Sequence, residues 1–270
     1  MKTWLITGCS SGFGRDIAKA ARARGDNVVA TARRPEGLAD LDAGFTLPLD
    51  VTRPEQIDAA VAATLERFGR IDVLVNNAGM GSVGAVETIE PDHLRAVMET
   101  MFFGAVALTQ AVLPHMRALR SGAIVQMSSQ GGQLAPPGFG AYCSAKFALE
   151  AMSEALAAEV APLGIRVLIV EPGSFRTALL SGTMHRSPEI DAYAATAGAT
   201  RASAEAADGS QPGDPRKLAA AILTALDTLE PPLRLALGGD AVDAIRAAQD
   251  RRRADLDAWE DLSRDTALSP

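Results

Sequence analysis

The sequence predicts an α/β protein: a doubly wound, seven-stranded parallel sheet with helices on both faces. Three observations carry this. Apolar runs of strand length recur along the chain, segments with three-to-four-residue apolar spacing separate them, and several runs are almost unbroken Val, Ile and Leu. Unbroken runs belong to strands covered on both faces, the condition of a parallel sheet. The strands are expected at 3–7, 27–32, 45–49, 71–75, 123–128, 166–170 and 233–237, and Asp72-Val-Leu-Val75 and Val167-Leu-Ile-Val170 are the clearest of them. Crossover helices are expected at 16–24, 54–68, 92–117, 144–161 and 214–229, and right-handed crossovers distribute them over both faces. A length of 270 residues fits one domain spanning 1–270. The stretch 178–213, rich in Ala, Ser, Thr and Gly with Pro188 and Pro212, reads as irregular, a substrate loop or lid.

Composition narrows the classes of function. With 47% hydrophobic and 22% charged residues the chain is neither disordered nor fibrous. Lys plus Arg total 26 against 33 for Asp plus Glu, a net charge of −7, so a phosphate-backbone grip is disfavoured and no nucleic-acid partner is expected. The Arg251, Arg252, Arg253 run lies between Asp250 and Asp255 and reads as a solvated helix face. Cys9 and Cys143 are too few for a disulfide framework, which fits a reducing compartment. His93, His115 and His185 are far apart, so no metal site is expected. The apolar run after Met1-Lys2 is too short for a signal segment, and 101–113 is too short to span a bilayer. A soluble cytoplasmic protein with no membrane partner is the expectation.

The first strand runs into Thr7-Gly8-Cys9-Ser10-Ser11-Gly12-Phe13-Gly14, and a helical pattern follows at once. Glycines there let the backbone turn sharply and approach a pyrophosphate, whose oxygens meet free N–H groups at the helix N-terminus. Gly8, Ser10, Ser11, Gly12, Phe13 and Gly14 are therefore cofactor-binding candidates. A carboxylate after the second strand would pair with the ribose 2′-hydroxyl of NAD, whereas Arg accommodates the extra phosphate of NADP. The sequence has Arg33 and Arg34 there and no acid, so NADP is expected over NAD.

Tyr142 and Lys146 stand four apart at the start of a helical segment, on one face and one turn apart. A nearby ammonium favours tyrosinate and draws the phenol pKa down from about 10 towards working pH, as a general acid/base requires. Ser129, at the end of the strand expected at 123–128, can hydrogen-bond the same substrate oxygen.

Together with Leu49-Asp50-Val51, Asn76-Asn77-Ala78-Gly79, Ser128-Ser129 and Pro172-Gly173-Ser174-Phe175-Arg176-Thr177, these motifs resemble the short-chain dehydrogenase/reductase family over nearly the whole chain. The resemblance implies a Rossmann-like fold with Tyr142 as acid/base and Lys146 holding the nicotinamide ribose and tuning Tyr142. Ser129, rather than Ser128, would orient the carbonyl. It also implies that Asp50 and Val51 contact adenine, that Asn77, Ala78 and Gly79 support the cofactor and the central strand, and that Pro172, Gly173 and Thr177 lie along the nicotinamide end. A homodimer or homotetramer is implied as well.

One position departs from the family pattern: Met101 in Thr100-Met101-Phe102-Phe103-Gly104 stands where the family usually has Asn. A thioether donates no hydrogen bond, so a proton relay through that side chain is lost and reduced activity is expected. The expected function is an NADP-dependent oxidoreductase interconverting a ketone or aldehyde with an alcohol. Phe139, Phe175, Leu179, Leu180 and Met184 suggest a largely apolar small-molecule substrate. The competing expectation, drawn from Met101, is a weakly active or non-catalytic NADP-binding sensor. A dehydratase or epimerase is a weaker third reading, because such extended relatives carry a longer C-terminal domain.

Overall fold

A computed structural model describes residues 1–180 and 184–268. In chain order its elements are β1 (Thr3–Ile6), α1 (Gly12–Ala23), β2 (Asn27–Ala32), β3 (Gly44–Pro48), α2 (Pro54–Phe68), β4 (Val73–Asn76), β5 (Gly81–Val83), α3 (Pro91–Met98), α4 (Gly104–Leu119) and β6 (Gly122–Met127). There follow α5 (Gly140–Val160), β7 (Ile165–Pro172), β8 (Met184–Arg186), α6 (Ala199–Ala207), α7 (Pro215–Asp227), β9 (Arg234–Leu237), α8 (Gly239–Ala258) and α9 (Glu260–Arg264). The main sheet has seven strands in the order β3-β2-β1-β4-β6-β7-β9. Every pairing in it is parallel.

The strand residues alternate between two cores. Trp4, Ile6, Val73, Val75, Ala123 and Val125 face one core with Ile17 and Ala21 of α1 and Leu218 and Ile222 of α7. Leu5, Leu74 and Ile124 face the other with Ile57 and Val61 of α2, Leu108 and Val112 of α4, and Leu156 and Val160 of α5. Burial on both faces is why these strands read as continuous apolar runs. The chain leaves β1 outward to β2 and β3 and then returns to β4, so the connection reverses between β1 and β4. A crevice opens beyond the strand ends at such a point.

Several expectations change. The 178–213 segment is not irregular: it holds β8, a turn of 3-10 helix (Asp191–Tyr193), a π turn (Ala194–Gly198) and α6, while residues 181–183 of it lie outside the described residues. Its Ala content favours helix more strongly than its Ser, Thr and Gly oppose it. Strand β8 pairs in parallel with β5 as a separate two-stranded sheet. The run 101–113 belongs to a continuous 29-residue helix, Pro91–Leu119, that length and composition alone would allow to cross a membrane. Its Leu108, Val112 and Met116 pack into the second core, as in an amphipathic core helix. A π turn over Glu99–Phe103 carries the helix past the glycine at 104. His93 and His185 are distant in sequence yet stack with centroids 3.6 Å apart. Arg252 is not simply solvated: its guanidinium lies 5.6 Å from the Phe147 ring centroid and donates to the Gln133 carbonyl.

Candidate active site

The glycine turn begins at the end of β1. Gly8 and Gly12 take φ values of +69° and +58°, the left-handed region that glycine enters without steric cost. Helix α1 starts at Gly12, earlier than the apolar pattern suggests, so the turn's last glycines lie in its first turn. Ser11 at the N-cap makes no side-chain cap bond, which leaves first-turn amides for an anion. Gly14 serves packing. A Cβ there would stand 2.5 Å from Asn77 Nδ2 and 2.7 Å from the Gly8 carbonyl oxygen.

Thr7 and Asn77 lock the two central strand ends together. Thr7 Oγ1 accepts from the amides of Asn77 at 2.8 Å and Ala78 at 2.9 Å, and Asn77 Nδ2 donates to the Thr7 carbonyl at 2.8 Å. Beyond β2, Arg33 lines the cleft with Asp50 and Val51. Burial pushes the Asp50 carboxyl up. The bonds it accepts from the Thr52 amide at 3.0 Å and hydroxyl at 2.8 Å, with the charges of Arg33 and Arg53, bring it net below the ordinary carboxylate value.

Helix α5 begins at Gly140 rather than 144, which puts Tyr142 in its first turn and Lys146 one turn on. Lys146 Nζ donates to the Met127 carbonyl at 2.6 Å and stands 5.7 Å from the Tyr142 ring centroid. Ser129 Oγ accepts from the Gly131 amide at 3.0 Å and donates to the Pro172 carbonyl at 3.4 Å, and its hydroxyl draws the Tyr142 phenol down. Ser128 lines the cleft, and its hydroxyl donates to the buried Glu150 carboxylate. Burial pushes the Tyr142 phenol up to about 12, against the pull of Ser129, and burial pushes Lys146 down to about 8 against the charge of Glu150. In the free protein, desolvation of the phenolate outweighs the pull of its neighbours. Burial likewise pushes the Cys143 thiol up to about 12, which fits a packed side chain.

A cleft of about 590 Å³ joins these parts, running from Gly8, Ser10, Ser11, Gly12 and Phe13 past Arg33, Asp50 and Val51 to Asn77, Ala78, Gly79, Tyr142, Lys146 and Thr177. Among the expected site residues, Gly14, Arg34, Ser129, Pro172 and Gly173 do not line it. Arg34 is exposed. Gly173 instead packs against the Asp240 carboxylate, which also accepts from the Ser174 amide at 2.7 Å. Of the apolar candidates only Leu179 lines the cleft. Phe175 packs edge-on to Phe13 at 5.4 Å, Met184 lies in β8 against Gly81, Phe139 stands 6.3 Å from the Tyr142 ring, and Leu180 is outside the lining. Met80, Met101, Thr100 and Ala178 supply wall that was not anticipated. Met80 directly follows the Asn-Asn-Ala-Gly run, and that adjacency was the available signal. Met101 is buried against Val97 and Ala145.

The glycine cradle, the uncapped helix start and Arg33 fit a dinucleotide. The family model described as short chain dehydrogenase matches residues 2–188. The chain belongs to the short-chain dehydrogenase family. It is thereby an NAD(P)-dependent dehydrogenase/reductase, consistent with the cleft. This short-chain dehydrogenase is 42% identical to oxidoreductase BOA17 of Botryotinia fuckeliana, over 97% of this chain and 98% of that protein. A short-chain dehydrogenase from Streptomyces avermitilis, 54% identical, superposes with a TM-score of 0.93 over 98% of each chain. A 3-ketoacyl-(acyl-carrier-protein) reductase from Brucella melitensis, complexed with NADH, is 27% identical with a TM-score of 0.76, over 89% of this chain and 98% of that one.

Proposed function

We propose that this short-chain dehydrogenase reduces a ketone or aldehyde to an alcohol with NADPH, Tyr142 giving the proton to the carbonyl oxygen. The observation that carries the reading is that Tyr142 and Lys146 line the same cleft as the glycine turn, with Ser129 behind that wall on the loop whose Gly131 packs against the Tyr142 ring. The nicotinamide coenzyme, when bound, supplies the hydride to the carbonyl carbon. Ser129 holds the carbonyl oxygen, and Tyr142 donates its proton to that oxygen as the C–H bond forms, so that carbonyl, hydride and proton balance as alcohol. The Tyr142 phenol is protonated at neutral pH, the form that donates. The Lys146 ammonium stabilises the tyrosinate left behind. Met80, Met101 and Leu179 at this end support a largely apolar substrate.

Reduction is expected to hold level below pH 8 and to fall as pH rises through about 8, because Lys146 then loses the charge that supports tyrosinate. The pH profile of kcat/KM, which reports the enzyme before the carbonyl binds, reads this limb. A profile flat to pH 10 would remove Lys146 from that role.

For the coenzyme, Arg33 would hold the ribose 2′-phosphate, with Arg34 outside the cleft. Arg33→Ala is expected to weaken NADPH binding by about tenfold or more, the worth of one charge-assisted hydrogen bond, and to leave NADH unchanged. Calorimetry with both coenzymes checks it, and equal losses would refute the assignment. The exposed apolar side chains Phe103, Phe147 and Met152 support a homo-oligomer.

Met101 motivates the alternative, a coenzyme-binding sensor, which the oxidoreductase relatives do not favour. Under the catalytic reading Met101→Asn is expected to cost about 1–3 kcal/mol of stability, since an amide enters an apolar pocket, while the wild type already turns over. A wild type inert across a carbonyl panel and a variant that reduces one would favour the sensor.

A further inference from the structure

We infer that Glu150 is a positioning residue for carbonyl reduction: its carboxylate holds the Ser128–Ser129 corner and balances the Lys146 ammonium, and Arg234 ties it to the last strand of the sheet. The inference rests on the roles proposed above for Ser129 and Lys146.

Glu150 lies one helical turn beyond Lys146 on α5 and is 2% exposed. A carboxylate taken from water must be paired and hydrogen-bonded. Ser128 Oγ donates to Oε1, and Gln133 Nε2 and Arg234 Nη1 both donate to Oε2. The same guanidinium donates to Glu171 Oε1 at 2.7 Å and to the half-exposed Glu154 at 2.7 Å, and Gln133 Nε2 also reaches Glu171 at 3.1 Å. From α8, Arg252 donates to the Gln133 carbonyl. The cluster therefore joins α5, β7, β9 and α8 behind the turn that carries Ser129.

Two features go beyond a strand brace. Gly132 has no Cβ because one would overlap the Glu150 carboxylate, so the loop after Ser129 is shaped to admit that group. Arg234 could close the sheet with Glu171 and Glu154 alone. Instead two acids, Glu150 and Glu171, each 2% exposed, share one guanidinium; burial and the charge of Glu150 push the Glu171 carboxyl up, and Glu150 lies one turn of α5 from Lys146, a cation itself 5% exposed. Lys146 is otherwise faced by the Met127 carbonyl and the Tyr142 ring. The charge of Glu150 opposes the downward push of burial on Lys146.

The test titrates the Lys146 amine in the unliganded full chain. Its acylation by acetic anhydride is followed against pH, and the labelled peptide is quantified by mass spectrometry. Lys146 opens onto the cleft, so the reagent has access. The wild-type midpoint is expected near 8. Glu150→Gln should lower it by about one pH unit, the low end for loss of a neighbouring charge, whereas Glu154→Gln should leave it in place. An unmoved midpoint in folded Glu150→Gln, or equal shifts in both variants, would overturn the inference. Should Glu150→Gln not fold, Ser128→Ala removes only one bond of the corner. It should lower kcat several-fold with KM for coenzyme unchanged and be rescued by Ser128→Thr, and an unchanged kcat would overturn the inference. The amine titration needs no turnover, so its failure is distinct from failure of the Tyr142 role, which Tyr142→Phe reports.

Discussion

Tyr142→Phe is expected to reduce carbonyls roughly 10²–10⁴-fold more slowly than the wild type, the usual worth of a positioned general acid, while binding reduced coenzyme unchanged. The substitution removes one oxygen and keeps the ring that packs near Phe139 and under the Lys146 ammonium. The glycine turn, Arg33 and Asn77 keep their side chains and bonds in this variant, so calorimetry should give the wild-type affinity. A variant that keeps full turnover would show that the proton comes from elsewhere. One that loses affinity as well would show that the phenol holds the coenzyme.

Gly14→Ala is expected to lose coenzyme binding and about 1–3 kcal/mol of stability, the cost of overpacking a site that cannot give way. The new methyl would face Asn77 Nδ2 at 2.5 Å and the Gly8 carbonyl oxygen at 2.7 Å. Neither can retreat cheaply. Asn77 Nδ2 is bonded to the Thr7 and Gly8 carbonyls at 2.8 and 3.2 Å, and Gly8 is the corner of the turn. Moving either opens the junction of β1 and β4 beneath the glycine turn. Denaturant unfolding and NADPH calorimetry read the two effects. Wild-type values in both would mean that the glycine serves neither packing nor the turn.

The sheet was legible in the sequence because its inner strands are buried on two sides, whereas the edge strands β3 and β9 are partly exposed. A run such as Val167-Leu-Ile-Val170 must then be apolar throughout, and its position survives within a residue or two. The starts of α1 and α5 were not legible from periodicity. Gly12 and Gly140 lie where the helices are not yet packed on the sheet, so no apolar stripe marks them. Residues 178–213 misled for the opposite reason: α6 has no fully buried residue and so no core stripe, yet Ala-rich sequence still winds into helix.

At the site, local motifs were legible and long-range ones were not. Gly8 to Gly14 and the Tyr142–Lys146 pair are contiguous or one turn apart, so spacing alone places them together. The Glu150, Glu171 and Arg234 cluster joins positions on three elements, which no local pattern relates. The direction of the Tyr142 shift was also hidden. A neighbouring Lys is visible in sequence, whereas the burial that raises the phenol depends on the packed fold. The cleft wall offered by Phe175 went instead to Phe13, since both rings flank the base of the turn.

Donation of the Tyr142 proton during hydride arrival is tested most directly in a single turnover. The protein is loaded with NADPH, mixed with a carbonyl that it reduces, and followed by nicotinamide absorbance in H₂O and in D₂O. The predicted result is a decay that slows in D₂O for the wild type and is far slower in either solvent for Tyr142→Phe. A decay in Tyr142→Phe at the wild-type rate, with the same solvent sensitivity, would contradict it.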